Sequence, residues 1–131
     1  MVNKKYKMKK LLIILLFICL SAYGSVEYLT NNNFNSKISK GIVVVEYWAE
    51  WNNGNKFKEL KELKDCTVYR ACIAKCTDAA NKYNIKAIPT VIIYDNGEEV
   101  ARFSPNIMLQ LEATGKDVQS AIDEIVLNKF Q

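Results

Sequence analysis

Histidine is absent from all 131 residues, so a zinc site would have to be assembled from cysteines with a carboxylate or a water. The C-x5-C-x3-C spacing of Cys66, Cys72 and Cys76 lacks the close pairs of structural zinc sites. No metal site and no cofactor are expected. The chain also lacks an apolar run long enough to cross a bilayer as a helix, which takes roughly 20 residues; residues 11–20 supply ten. Repeats, low-complexity tracts and long linkers are missing, which leaves one globular domain of a size that can bury one core. Residues 25–131 contain no block of like charge, so nothing in the sequence calls for nucleic acid.

The first 24 residues differ from the rest. Lys4, Lys5, Lys7, Lys9 and Lys10 form a basic head, residues 11–20 an apolar run, and Ser21-Ala22-Tyr23-Gly24 a stretch with small residues at the −3 and −1 positions of a cut after Gly24. These are the three parts of a secretory signal peptide. The expected organisation is therefore a signal peptide at 1–24 and a domain at 25–131, exported to a periplasm or secreted and not embedded in the membrane. Ile18, directly before Cys19, stands where a lipid-attachment signal wants a small residue, which argues against lipidation. Removing the five lysines takes the formal charge from +4 to −1. The basic balance belongs to the leader and carries no information about partners.

Hydrophobic patterning outlines the rest. Asn31, Asn32 and Asn33 can cap a short helix that buries Phe34 and Ile38 and stops at Gly41. Residues 42–45, continued by Tyr47, Trp48 and Ala49, form an apolar run that predicts a central strand buried on both faces. Phe57, Leu60 and Leu63, separated by lysines and glutamates, predict a short amphipathic helix. A strand is expected over 66–73 and a helix over 78–83. Asp95-Asn96-Gly97 between two extended runs is a hairpin signal. Thr114 with Asp117 predicts a capping box, and Val118, Ala121, Ile122 and Ile125 the buried face of the last helix. This is an α/β order with a central mixed sheet flanked by helices.

Two stretches narrow the choice: residues 45–51, Val-Glu-Tyr-Trp-Ala-Glu-Trp, and residues 82–90, Lys-Tyr-Asn-Ile-Lys-Ala-Ile-Pro-Thr. Together they resemble the thioredoxin family, the first matching the strand that leads to its active site and the second its cis-proline segment. The resemblance spans nearly all of residues 27–128 and implies the thioredoxin fold. It also marks a departure. Where the family places Cys-Gly-Pro-Cys, this chain has Asn52-Asn53-Gly54-Asn55. An amide forms no thiolate and can neither attack a disulfide nor resolve a mixed one. Asparagine at a helix start can still satisfy backbone N–H groups, so the expected role of these positions is structural.

The resemblance carries further residues with it. Glu46 stands at the family's buried acid and Arg70 at a nearby lysine. With no cysteine to serve, the expected role is an ion pair that satisfies a buried charge. Pro89 stands at the cis-proline, where a partner's backbone pairs with the preceding residue. Trp48, Trp51, Ile88 and Pro89 form the expected groove, with Trp48 read chiefly as core packing and Trp51 as its exposed member. Cys66 and Cys72, six apart on one strand, lie roughly 20 Å from each other and cannot bond. Cys72 and Cys76 allow three readings: free thiols, a structural disulfide, or a displaced redox centre with a thiol acidified by Arg70 or Lys75. The functions that follow are a module holding an extended peptide or protein, with a thiol–disulfide oxidoreductase or a purely structural domain as alternatives. The oligomeric state is not encoded in any pattern seen here.

Overall fold

The computed structural model describes residues 25–131. The proposed signal peptide, its cut after Gly24 and Cys19 lie outside the described residues. The elements are β1 (Glu27–Leu29), α1 (Phe34–Ile38), β2 (Ile42–Trp48), β3 (Thr67–Cys72), α2 (Thr77–Lys82), β4 (Thr90–Asp95), β5 (Glu98–Phe103) and α3 (Gly115–Asn128). Two 3₁₀ turns, Glu50–Asn55 and Leu60–Glu62, lie between β2 and β3.

The apolar run of β2 occupies the middle of a five-stranded sheet of order β1-β3-β2-β4-β5. It pairs in parallel with β3 and antiparallel with β4, so the sheet is mixed. Alternation along β2 and β4 builds two cores. Val43, Val45, Tyr47, Ile92 and Tyr94 pack with Phe34 and Ile38 of α1 and Ala79 of α2. Val44, Val91 and Ile93 pack on the opposite face with Phe57, Leu60 and, from α3, Val118 and Ile122. Full burial of Val118 and Ile122 stabilises the docked helix by about 1.5–3 kcal/mol each. The capping box forms, with the Thr114 hydroxyl accepting from Asp117 N and the Asp117 carboxylate accepting from Thr114 N.

The hairpin turns at Asn96 and Gly97, with φ of 50° and 87°, the left-handed pair that a two-residue loop between twisted strands requires. Asn96 also reaches across the sheet. Its side-chain oxygen accepts from Gly41 N at 2.8 Å and its own N–H donates to Gly41 O at 3.0 Å, so the hairpin and the start of β2 hold each other. The sheet's two edges are unlike its centre. β1 is three residues long, and β5 carries Glu98, Glu99 and Arg102, with Arg102 bonded to Glu99 and to the Tyr83 carbonyl.

Three expectations change. β1 has no counterpart in the patterning, because three residues, only one of them buried, leave no periodicity to detect. Asn33 occupies the start of α1, but its side chain turns back to accept from Thr30 N at 2.8 Å and caps no helix amide. The amphipathic helix at 56–63 reduces to one 3₁₀ turn, because Lys56 is extended (φ −53°, ψ 142°) and Phe57 N–H donates to Glu46 instead of to a helix carbonyl. Among the described residues, no helix is long and apolar enough to cross a membrane.

Candidate functional site

The end of β2 delivers the chain through Ala49 into the 3₁₀ turn that holds Asn52-Asn53-Gly54-Asn55. Asn52 departs from helical geometry (φ −114°, ψ 28°), and no side chain caps the turn. The expectation that the asparagines satisfy helix N–H groups is thus replaced by a different one. Both act as donors to other loops. The Asn52 amide donates to Ile88 O at 3.1 Å and to Leu109 O at 3.3 Å, and the Asn55 amide to Leu109 O at 3.1 Å and to the Asn52 side-chain oxygen at 2.9 Å. Two amides therefore tie the turn, the Ile88-Pro89 segment and the loop between β5 and α3 into one corner. Asn53 and Gly54 point to solvent.

This corner changes the expected groove. The Ile88–Pro89 peptide is cis, and both residues are buried, Ile88 with 3% of its surface exposed. Its carbonyl, the group a partner backbone would seek, already accepts from Asn52. Trp48 is buried too. Lys56 Nζ lies 4.1 Å from the centre of its ring, the Tyr28 ring meets it edge-on at 5.8 Å, and its indole N–H has no acceptor. Of the four groove residues only Trp51 is open, at 68% exposure.

Two apolar residues that the sequence reading passed over lie on the tied loop. Ile107 is 98% exposed and Met108 69%. They sit in a closed turn in which the Asn106 side-chain oxygen accepts from Met108 N and Gln110 N at 2.9 and 3.1 Å, and Asn106 N–H donates to Gln110 O at 2.9 Å. Leu109 takes φ of 56° to close it. A hydrogen-bonded turn that presents two large apolar side chains to water, fastened beside an exposed tryptophan, is an unusual use of surface. The signal available was the apolar Ile107-Met108-Leu109 triplet in a stretch that belongs to no helix or strand.

Glu46 and Arg70 are direct neighbours across β2 and β3. Arg70 Nε donates to Glu46 Oε1 at 2.8 Å, Phe57 N–H donates to Oε2 at 2.7 Å, and Arg70 Nη2 donates to Phe57 O at 3.0 Å. Burial pushes the Glu46 carboxyl above its ordinary range, against the pull of the Phe57 N–H and of Arg70. Both oxygens are engaged, and the arrangement fixes the chain after the turn to the sheet.

The thiols of Cys66, Cys72 and Cys76 are free. The chain reverses after β3, with Lys75 N and Cys76 N both donating to Cys72 O at 2.9 Å, so Cys72 and Cys76 lie one turn apart. Cys76 is fully buried and its thiol donates to Leu29 O at 3.0 Å. Burial, reinforced by Cys72, pushes that thiol up to about 11, and burial with the Asp65 charge does the same for Cys66. Arg70, a candidate to acidify these thiols, is committed to Glu46 and Phe57. Among the described residues, no group of three or more cysteines and carboxylates gathers in a way that could hold a metal ion.

Comparison with known proteins agrees with this architecture. The family model described as thioredoxin matches residues 25–116. The chain is similar to the thioredoxin of Chlamydia pneumoniae, 31% identical over 83 residues that cover 59% of this chain and 81% of that protein. It is also similar to the thioredoxin of Staphylococcus epidermidis, 34% identical over 83 residues, covering 58% of this chain and 80% of the relative. The thioredoxin of Chlamydia trachomatis serovar D is 29% identical over the same share of each chain as the first.

Proposed function

Because the chain belongs to the thioredoxin family yet has asparagines at 52 and 55, we propose that it is an exported binding domain that holds a protein or peptide and performs no disulfide exchange. The observation that carries this reading is the corner where Asn52 and Asn55 fasten the Leu109 loop to the turn, with Trp51, Ile107 and Met108 exposed around it. Holding such side chains in water at the rim of a buried proline segment leaves apolar surface hydrated, and a partner that covers them removes that surface from water while the hydrogen-bonded turn has little backbone entropy left to lose. Tryptophan is also among the residues that most often dominate binding energy at interfaces. The expected groove over Ile88 and Pro89 is accordingly relocated: these two form the floor, and the contact surface is the apolar rim above it.

Export rests on the lysine head, the apolar run and the small residues before Ser25. Loss of exchange chemistry rests on the missing thiols at the turn and on the burial of Cys76, whose thiol holds its proton more tightly than an ordinary cysteine.

The test is selection of displayed random decapeptides on protein produced from the full-length chain, against a Trp51→Ala, Met108→Gln variant. Sequences enriched on the parent and bound at least tenfold more weakly by the variant support the reading. If the two proteins select the same peptides with equal affinity, or neither selects any, it fails.

A further inference from the structure

The same turn borders an open cavity of about 480 Å³ whose lining includes Tyr28, Asn53, Lys56, Lys58, Lys61 and Arg70. Four of its lining residues are cations and none is a carboxylate. The sequence shows no basic block here; the fold creates one, because the extended Lys56 and the short 3₁₀ turn that follows fold the lysines back toward β1 and β3. Arg70 is balanced by Glu46 beneath it. Lys56, Lys58 and Lys61 form no ion pair among the described residues. Of the acidic groups near in sequence, Glu27 pairs with Lys37 and Glu59 accepts from the N–H of Gly115, while Glu62 lines a different cavity, against the start of α3.

The back wall is unusual as well. The Lys56 ammonium is held by the Tyr28 hydroxyl at 3.0 Å and lies over the ring of the buried Trp48 behind it. An ammonium held by one hydroxyl and one aromatic face has donor capacity left for an oxygen-bearing anion. We propose that this cavity binds carboxylate side chains of an acidic peptide segment, and that the partner held at the Trp51 corner carries aspartates or glutamates next to its apolar anchor. The second half rests on the binding reading above, since Asn53 of the cavity and Trp51 of the corner belong to one turn. A peptide is favoured over a free anion because the cations are spread over a strand and a turn instead of converging on one point.

The experiment measures affinity of protein produced from the full-length chain for three peptides. One is a corner-selected peptide, the second the same peptide extended by six glutamates, and the third extended by six glutamines. The glutamate extension is expected to bind roughly tenfold more tightly than the glutamine one at low ionic strength, an advantage that largely disappears at about 0.3 M salt. Lys58→Gln with Lys61→Gln, both at exposed positions, should remove most of that advantage and leave the unextended peptide unaffected. In a Trp51→Phe background, Trp48 is the sole indole, and its emission should change on adding acetylated hexaglutamate as Lys56 leaves the ring. Equal affinity for the two extensions overturns the proposal while the corner reading stands. Failure of all peptides at the corner, with hexaglutamate still bound in a Lys58- and Lys61-dependent way, sinks the corner reading and keeps the cavity. Binding of inorganic tripolyphosphate but not hexaglutamate overturns the peptide assignment.

Discussion

Replacing Asn52 with alanine is the most direct probe of the corner. The substitution removes the bonds to Ile88 O and Leu109 O and leaves the Asn55 amide without the Asn52 oxygen, three bonds in all. At about 0.5–1.5 kcal/mol each, the upper sum is about 4.5 kcal/mol. The Leu109 bond is long at 3.3 Å, Leu109 O keeps its bond from Asn55, and all three lost bonds are only partly buried, so the lower part of the range applies: about 1.5–2.5 kcal/mol. Urea unfolding should therefore show a lower midpoint with an unchanged slope, and the thermal midpoint should fall by about 8–15 °C for a domain of this size. Amide exchange should rise first at residues 106–110, because the Leu109 carbonyl, which fastens this turn, keeps only the Asn55 bond. Asn52→Asp should cost more than alanine, since it directs carboxylate oxygens at two carbonyls. A loss below about 0.5 kcal/mol, with exchange at 106–110 unchanged, would show that the asparagines do not fasten the loop.

Other perturbations follow from the same contacts. Arg70→Met strands the buried Glu46 carboxylate and should cost about 3–5 kcal/mol in urea unfolding, with much of this recovered by adding Glu46→Gln. Because the folded chain holds the Glu46 proton more tightly than the unfolded one, that group's contribution is full below pH 4.5 and declines as pH rises through its raised folded value. Unfolding midpoints measured across this window should lose that downward component in Glu46→Gln. Insulin disulfide reduction should stay at the uncatalysed rate, unchanged by Cys72→Ser; a rate that falls in that variant would restore the oxidoreductase reading. Gly97→Ala, forced to φ of 87° in the hairpin, should destabilise by about 1–2 kcal/mol in the same unfolding assay.

The sheet was legible because its signals are redundant. The apolar runs of β2 and β4 mark strands buried on both faces, and Asn96-Gly97 marks the turn between β4 and β5. Thr114 and Asp117 announced α3 through a local hydrogen-bond pattern that needs no tertiary partner. The segment at 56–63 was misread because its spacing fits a helix, while a tertiary bond, Phe57 N–H to Glu46, outcompetes the helical one. For the asparagines, the chemistry that is lost could be read from residue type alone, but the carbonyls they reach could not. Ile88 is 36 residues away from Asn52 and Leu109 is 57 away, and no local pattern records such pairings. Pro89 pointed to the groove's position, but its burial depends on neighbours that only folding assembles.

The two margins of the sheet bear on how this chain can meet another. A strand of three residues offers too little backbone for a second chain to zip onto, and the opposite margin presents Glu98, Glu99 and Arg102 to any incoming strand. Edge-to-edge pairing into longer sheets is thereby discouraged even at high local concentration. The exposed apolar side chains Trp51, Ile107 and Met108 lie instead on loops, away from both sheet margins, so under the proposed function this molecule would be adhesive at one corner without becoming polymerisable along its sides.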